Sequence, residues 1–97
     1  MPTLRIEHPV PNYDAWKKEA FDSDPLGRER SGVRRYQVLR PIDDPNYVMV
    51  DLEFDTSEEA EAFRTALRNL WGNVADRFGW TEEPRAQIVE AVERKEY

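Results

Sequence analysis

Two stretches decide the fold: Val33-Arg-Arg-Tyr-Gln-Val-Leu-Arg40 and Tyr47-Val-Met-Val-Asp-Leu-Glu-Phe54, joined by Pro41-Ile-Asp-Asp-Pro-Asn46. The second alternates cleanly. Val48, Val50, Leu52 and Phe54 point one way, and Tyr47, Met49, Asp51 and Glu53 the other, the period-two signature of a strand with one apolar face. The first carries Tyr36 and Val38 in the same rhythm, so the pair reads as a β-hairpin. Directly opposed residues share a face of the sheet, which sets Val38 against Val50, Tyr36 against Leu52, Gln37 against Asp51 and Arg35 against Glu53. The loop then runs from Ile42 to Asn46, a normal hairpin length. The Arg35–Glu53 pair adds about 0.2–1 kcal/mol, less where water screens it.

Outward from the hairpin, Thr3 to His8 alternates, with Leu4 and Ile6 on one side and Arg5 and Glu7 on the other. This predicts a first strand, broken by Pro9 and Pro11. Asn12 is placed to cap a helix through Tyr13, Trp16, Ala20 and Phe21, which ends near Asp24 because Pro25 disfavours α geometry before it. Gly32 supplies a positive φ ahead of the hairpin. Thr56-Ser-Glu-Glu59 is a capping-box pattern. The stripe Ala60, Phe63, Leu67, Leu70, Trp71 and Val74 then predicts a second helix, bending or ending at Gly72 or stopping at Gly79. Trp80 to Pro84 is a connector, and Arg85 to Glu93 alternates as a fourth strand, with Ile88 and Val92 on one face.

The order strand, helix, strand, strand, helix, strand predicts an α+β, ferredoxin-like βαββαβ domain over residues 1–97. Its four-stranded antiparallel sheet carries both helices on one face. Leu4, Ile6, Tyr36, Val38, Val50, Leu52, Phe54 and Ile88 are expected to meet Trp16, Phe63, Leu67, Leu70 and Trp71 there.

Composition removes several functions. The 97 residues fit one domain, and the chain has no cysteine, which excludes disulfides and thiolate metal sites. No apolar run approaches a membrane span and the N-terminus lacks a signal-peptide core, so a cytoplasmic location is expected. Twenty acidic residues against fourteen basic ones give a net charge of −6, which repels nucleic acid and anionic lipid. RNA-recognition modules share this order of elements, but they stack bases on open-face aromatics, where this chain places Arg5, Glu7, Met49, Asp51 and Glu53. No His or Cys cluster offers a metal site, and Asp43-Asp44-Pro45-Asn46 lacks a full calcium ligand set.

The face turned away from the helices carries Arg5, Glu7, Arg35, Gln37, Leu39, Tyr47, Met49, Asp51, Glu53, Gln87 and Val89. Leu39, Tyr47, Met49 and Val89 are too apolar for a wholly wet surface, and the carboxylates too many for a dry one unless Arg5 and Arg35 pair with them. Such a half-polar face suits a partner sheet. His8 reads as a general base or as a solvated or capping residue at a strand end. Asp51 and Glu53 lie about 6.5–7 Å apart on one face, either as an acid–base pair or as ion pairs with Arg35 or a symmetry mate. Trp16 and Trp71 read first as core packing and second as pocket walls.

Ser31-Gly32-Val33 leading into the second strand, Arg40-Pro-Ile-Asp-Asp-Pro-Asn-Tyr47 at the hairpin, and Phe54-Asp-Thr-Ser-Glu-Glu-Ala60 through Phe63 resemble the dimeric α+β barrel proteins. That group includes small cofactor-free antibiotic-biosynthesis monooxygenases, polyketide cyclases and haem-degrading monooxygenases. The resemblance implies a homodimer packed sheet against sheet, with a ligand held between sheet and helices. Haem-degrading members use an Asn on strand one and a helical His. Neither is present here, so no cofactor is expected. The cofactor-free oxygenases hold an aromatic substrate that reduces oxygen as its own carbanion. Arg5, Arg35, Tyr36, Tyr47, Trp16 and Trp71 are the residues here that could furnish such a set. Tyr36, Tyr47, Trp16 and Trp71 are the candidate ligand-binding residues, and His8, Arg35 and Asp51 the candidate catalytic ones. The expectation is a small organic-ligand binder, as a monooxygenase or cyclase or as a non-catalytic dimerisation or ligand-sensing module.

Overall fold

The computed structural model describes residues 1–78 and 84–97, apart from the side chains of residues 74–78. The elements run β1 (Thr3–Pro9), α1 (Tyr13–Trp16) continued by a π-helical segment (Lys17–Phe21), β2 (Arg35–Leu39), β3 (Tyr47–Glu53), α2 (Ser57–Phe78) and β4 (Arg85–Val89). The sheet order is β2-β3-β1-β4, antiparallel throughout. This is the ferredoxin-like arrangement of four strands and two helices.

The hairpin register is the one read from the sequence: Arg35, Tyr36, Gln37 and Val38 face Glu53, Leu52, Asp51 and Val50. The ladder stops at Leu39–Met49, so the connector spans residues 40–46, longer than expected. Pro41 has no N–H to extend the ladder, and Asp44 N–H donates instead to Pro41 O at 3.2 Å. On the other side of β3, β1 sets Leu4 against Leu52 and Ile6 against Val50. These four residues join Phe21, Phe54, Ala60, Phe63, Trp71 and Ala86 as the buried core.

The first helix departs from the plain α form. Asn12 Oδ1 accepts from Ala15 N–H at 2.9 Å, the expected cap. One turn later Asp22 N–H donates to Lys17 O at 2.8 Å, five residues back, and Lys17 Nζ reaches Asp22 Oδ1 at 2.6 Å. Residues five apart diverge around an α-helix, but the wider π turn brings them toward one side. Phe21 thereby comes under Trp16, with ring centroids 5.5 Å apart, and is buried.

Two expectations are corrected. Tyr36, expected in the core, is 51% exposed. It stands on the sheet-edge strand β2, where Phe21 at the end of the first helical segment and Arg28 cover only part of its ring. Strand β4 ends at Val89, and Val92 is exposed. Val89 already pairs with Thr3, the first residue of β1, so β1 offers no further residue to continue the ladder. Helix α2 runs through Gly72 without ending there. The proposed stop at Gly79 and the connector through Glu83 lie outside the described residues.

The capping box forms in altered style. Thr56 Oγ1 accepts from Glu59 N–H at 3.2 Å, while the Glu59 carboxylate turns back to the Thr56 hydroxyl. Its other oxygen lies against Gly32, whose φ is +97°. Only a residue without Cβ fits both the conformation and the approach. Gly32→Ala is therefore expected to cost about 1–3 kcal/mol. Gly72 faces open space within α2, so Gly72→Ala is expected to add about 0.5–1 kcal/mol. Urea unfolding of the two variants checks both signs.

Candidate functional site

Alternation along the central strands sorts the candidate residues onto two faces. On the inner face, under the helices, lies a cavity of about 590 Å3. Ile6, Val50 and Leu52 supply its sheet side, Trp16 and Phe21 come from the first helical segment, and Phe63 and Trp71 from α2. Trp16 and Trp71, two of the candidate ligand residues, thus share one cavity and pack on the core. Its polar groups are His8, Glu19, Ser23, Asp24 and Arg28.

His8 was open to reading as a solvated strand end; it is 5% exposed. Strand β1 continues through His8 to Pro9, so His8 keeps the parity of Leu4 and Ile6 and turns inward. Its ring lies edge-on to Trp16, with centroids 6.2 Å apart. Nδ1 lies 3.0 Å from Pro9 O. A carbonyl only accepts, so Nδ1 carries the proton and, in the neutral ring, Nε2 is the acceptor nitrogen. Burial pushes the His8 pKa below its ordinary value, against a smaller upward pull from the Pro9 carbonyl. A neutral imidazole therefore lines the cavity.

Arg35, Asp51 and Tyr47 sit on the outer face, away from this cavity. There Arg5 grips Asp51 in a two-pronged pair, Nε to Oδ1 at 2.8 Å and Nη2 to Oδ2 at 2.9 Å. Gln37 Nε2 donates to the same carboxylate at 3.1 Å. Asp51 is consequently only 6% exposed, and the Arg5 hydrogen bonds hold its carboxyl below the usual range despite burial. Arg35 Nε meets Glu53 at 3.0 Å, and Tyr47 donates to Glu7 at 2.7 Å. Asp51 and Glu53 are thus taken up by separate arginines. Tyr36 lies outside the cavity lining, against the outer side of Phe21, with centroids 5.1 Å apart.

Sequence reasoning did not single out Arg28 or Phe21 as cavity residues. Nothing in the period of a charged loop separates Arg28 from Arg30, and Phe21 reaches the cavity only through the π turn. Among the described residues, no cluster of three or more His, Asp or Glu side chains is placed to hold a metal ion, and no helix is long and apolar enough to cross a membrane.

No protein-family model matches the sequence, and no curated protein matches it. Among solved structures, one described as "Putative antibiotic biosynthesis monooxygenase from Nitrosomonas europaea" is similar, with a TM-score of 0.65 and 21% identity. The match covers 94% of this chain and 89% of that one. The likeness is one of fold: that structure shares the ferredoxin-like arrangement of a four-stranded antiparallel sheet and two helices.

Both depressed pKa values make the fold acid-sensitive. A group whose pKa is lower folded than unfolded binds more protons when unfolded, so stability falls with pH. The His8 contribution is complete above its ordinary 6.5 and declines below it. The Asp51 contribution holds to about 3.8 and declines below that. Unfolding free energy measured from pH 8 to pH 3 should fall in two stages, and His8→Gln should remove the first while leaving the second.

Proposed function

We propose that the chain is a homodimeric small-molecule binder whose cavity takes a flat, largely aromatic organic molecule. The observation that carries this reading is the cavity. Its volume of about 590 Å3 is in the range of ligand sites, which run to about 300–1,000 Å3 with apolar walls and a few convergent polar groups. Indole and phenyl walls from Trp16, Phe21, Phe63 and Trp71 suit a ring system by offset and edge stacking. The partner is a second copy, set against the outer sheet face. Leu39 and Val89, 37% and 36% exposed, share that face with the Arg5–Asp51 and Arg35–Glu53 pairs, so a second sheet can cover those four charges without stranding any of them.

A catalytic reading is favoured by one feature, the neutral buried imidazole of His8. Such a base can take a proton from an acidic C–H, and the resulting carbanion can reduce oxygen without a cofactor. For an anthrone-type methylene, O2 delivers one atom as the new carbonyl, and the other leaves as water with the two hydrogens. The alternative is a ligand sensor that binds and does not react.

The experiment combines mass, binding and oxygen uptake. Light scattering at micromolar concentration should give twice the 11.5 kDa chain mass; a monomer would defeat the dimer. Quenching of tryptophan emission by anthrone should saturate, and Leu67→Trp, which fills the cavity, should weaken it at least tenfold. Absence of saturable quenching would end the binding reading. Oxygen consumption with anthrone supports the enzyme, provided His8→Gln slows it. Binding without consumption supports the sensor.

A further inference from the structure

Arg28 lines the cavity from the loop after the first helix, and its polar contacts with the described residues are few. Its guanidinium donates one hydrogen bond, Nη1–H to Phe21 O at 2.9 Å. Its planar face lies 4.0 Å from the Phe21 ring centroid and 5.1 Å from that of Tyr36. Nε lies 3.7 Å from Asp24 Oδ1, too far for a hydrogen bond. A guanidinium carries five N–H donors in a rigid fork, so four remain without a hydrogen-bond acceptor among the described residues. The side chain is nevertheless only 18% exposed.

The backbone before it is arranged to hold this pose. Asp24 adopts φ +48° ahead of a proline, and Gly27 φ +61°. Asp24 Oδ1 accepts the Arg28 backbone N–H at 2.9 Å, and Gly27 N–H donates to Asp24 O at 3.1 Å. A non-glycine residue in the left-handed region is a strained choice, of the kind found where backbone positions a functional group. Here its effect is to fold the loop so that Arg28 lies back over Phe21 at the cavity.

We infer that Arg28 is a specificity-determining residue of the cavity, its unused donors receiving a carboxylate carried by the aromatic ligand. This deepens the ligand-binding reading and rests on it. Two carboxylates also line the cavity, Glu19 and Asp24. Glu19 is exposed and screened by water, and Asp24 already spends Oδ1 on the Arg28 backbone. The Arg28 fork can meet a ligand carboxylate through two parallel hydrogen bonds, the strongest geometry available to it. Stacking on Phe21 fixes the fork in advance, so little side-chain freedom is lost on binding.

The test compares 2-naphthoate with 2-naphthylmethanol, which share a ring system and differ in the anionic end. Binding to the full chain is followed by tryptophan quenching or calorimetry. The wild type is expected to prefer the acid by about tenfold. In Arg28→Gln the preference should vanish or reverse, because Glu19 and Asp24 then repel the anion unopposed, while the alcohol binds within about twofold of its wild-type affinity. Arg28→Lys keeps the charge without the fork and should retain a reduced preference. A merely structural Arg28 would weaken both probes together and leave their ratio unchanged, which overturns the inference. Equal affinity of the wild type for both probes overturns it too, with ligand binding intact. Binding of neither probe removes the ligand-binding reading and this inference together. Should Arg28→Gln fail to fold, the wild-type preference is read against salt: a direct ion pair requires it to shrink between 20 and 500 mM NaCl, and a preference indifferent to salt overturns the inference.

Discussion

Strict alternation of side chains along β1 and β3 is the constraint on which everything else depends. These two strands are the inner pair of the sheet, and each carries its charged residues at odd positions. Arg5 and Asp51 face each other across the ladder, as Ile6 and Val50 do one step away. A slip of one residue would carry Arg5 and Asp51 under the helices and Ile6 and Val50 outside. The two-pronged pair at 2.8 and 2.9 Å thus acts as a lock on register as well as a local attraction. Any other pairing would strand a carboxylate that is now almost wholly covered. The same parity puts His8 in the cavity and Arg35, Tyr47 and Asp51 on the far side. The cavity and the ion-paired face are thereby separated by the thickness of one sheet.

The helical layer is held in place by less regular means. Asn46 links the hairpin tip to the first helix, because its side-chain oxygen accepts from Tyr13 N–H and its backbone oxygen from Val10 N–H. Arg40 stacks over Tyr13 at 4.5 Å. At the other end the π turn, the left-handed Asp24 and the Arg28 hydrogen bond to Phe21 O form a compact cluster around one phenyl ring. Phe21 therefore links two systems, since its ring closes the cavity while its carbonyl anchors the arginine beside it.

What was legible in the sequence follows from how local each signal is. The hairpin register was readable because alternation and opposition are both fixed by strand geometry, and Val38, Val50 and Leu52 permit only one parity. The cap at Asn12 and the box at Thr56–Glu59 were readable because each joins residues only three positions apart. Tyr36 was misjudged because alternation gives the face a residue points to, not whether anything stands above it at a sheet edge. His8 could have been placed by extending the parity of Leu4 and Ile6 by one step. Proximity to Pro9 argued for a strand end, and pairing with β3 carried the strand through it. Arg28 had no comparable signal, since its position rests on a π turn and two left-handed residues.

A domain of this size buries only about 60–70% of its unfolded surface, and here both sides of the sheet fall short of dense apolar packing. The cavity on the inner face deprives its lining of dispersion contacts. On the outer face, ion pairs and hydrogen bonds stand where methyl groups would pack, and their desolvation offsets much of their attraction. Each deficit is of the kind an external body relieves. A ring system in the cavity restores contacts to Trp16 and Phe63, and a second sheet shields the Arg5–Asp51 pair from water. Anything that binds only the folded chain stabilises it by mass action. Under the proposed function, ligand occupancy, dimerisation and folding would be linked quantities, because the same sheet would present one face to the ligand and the other to the second copy.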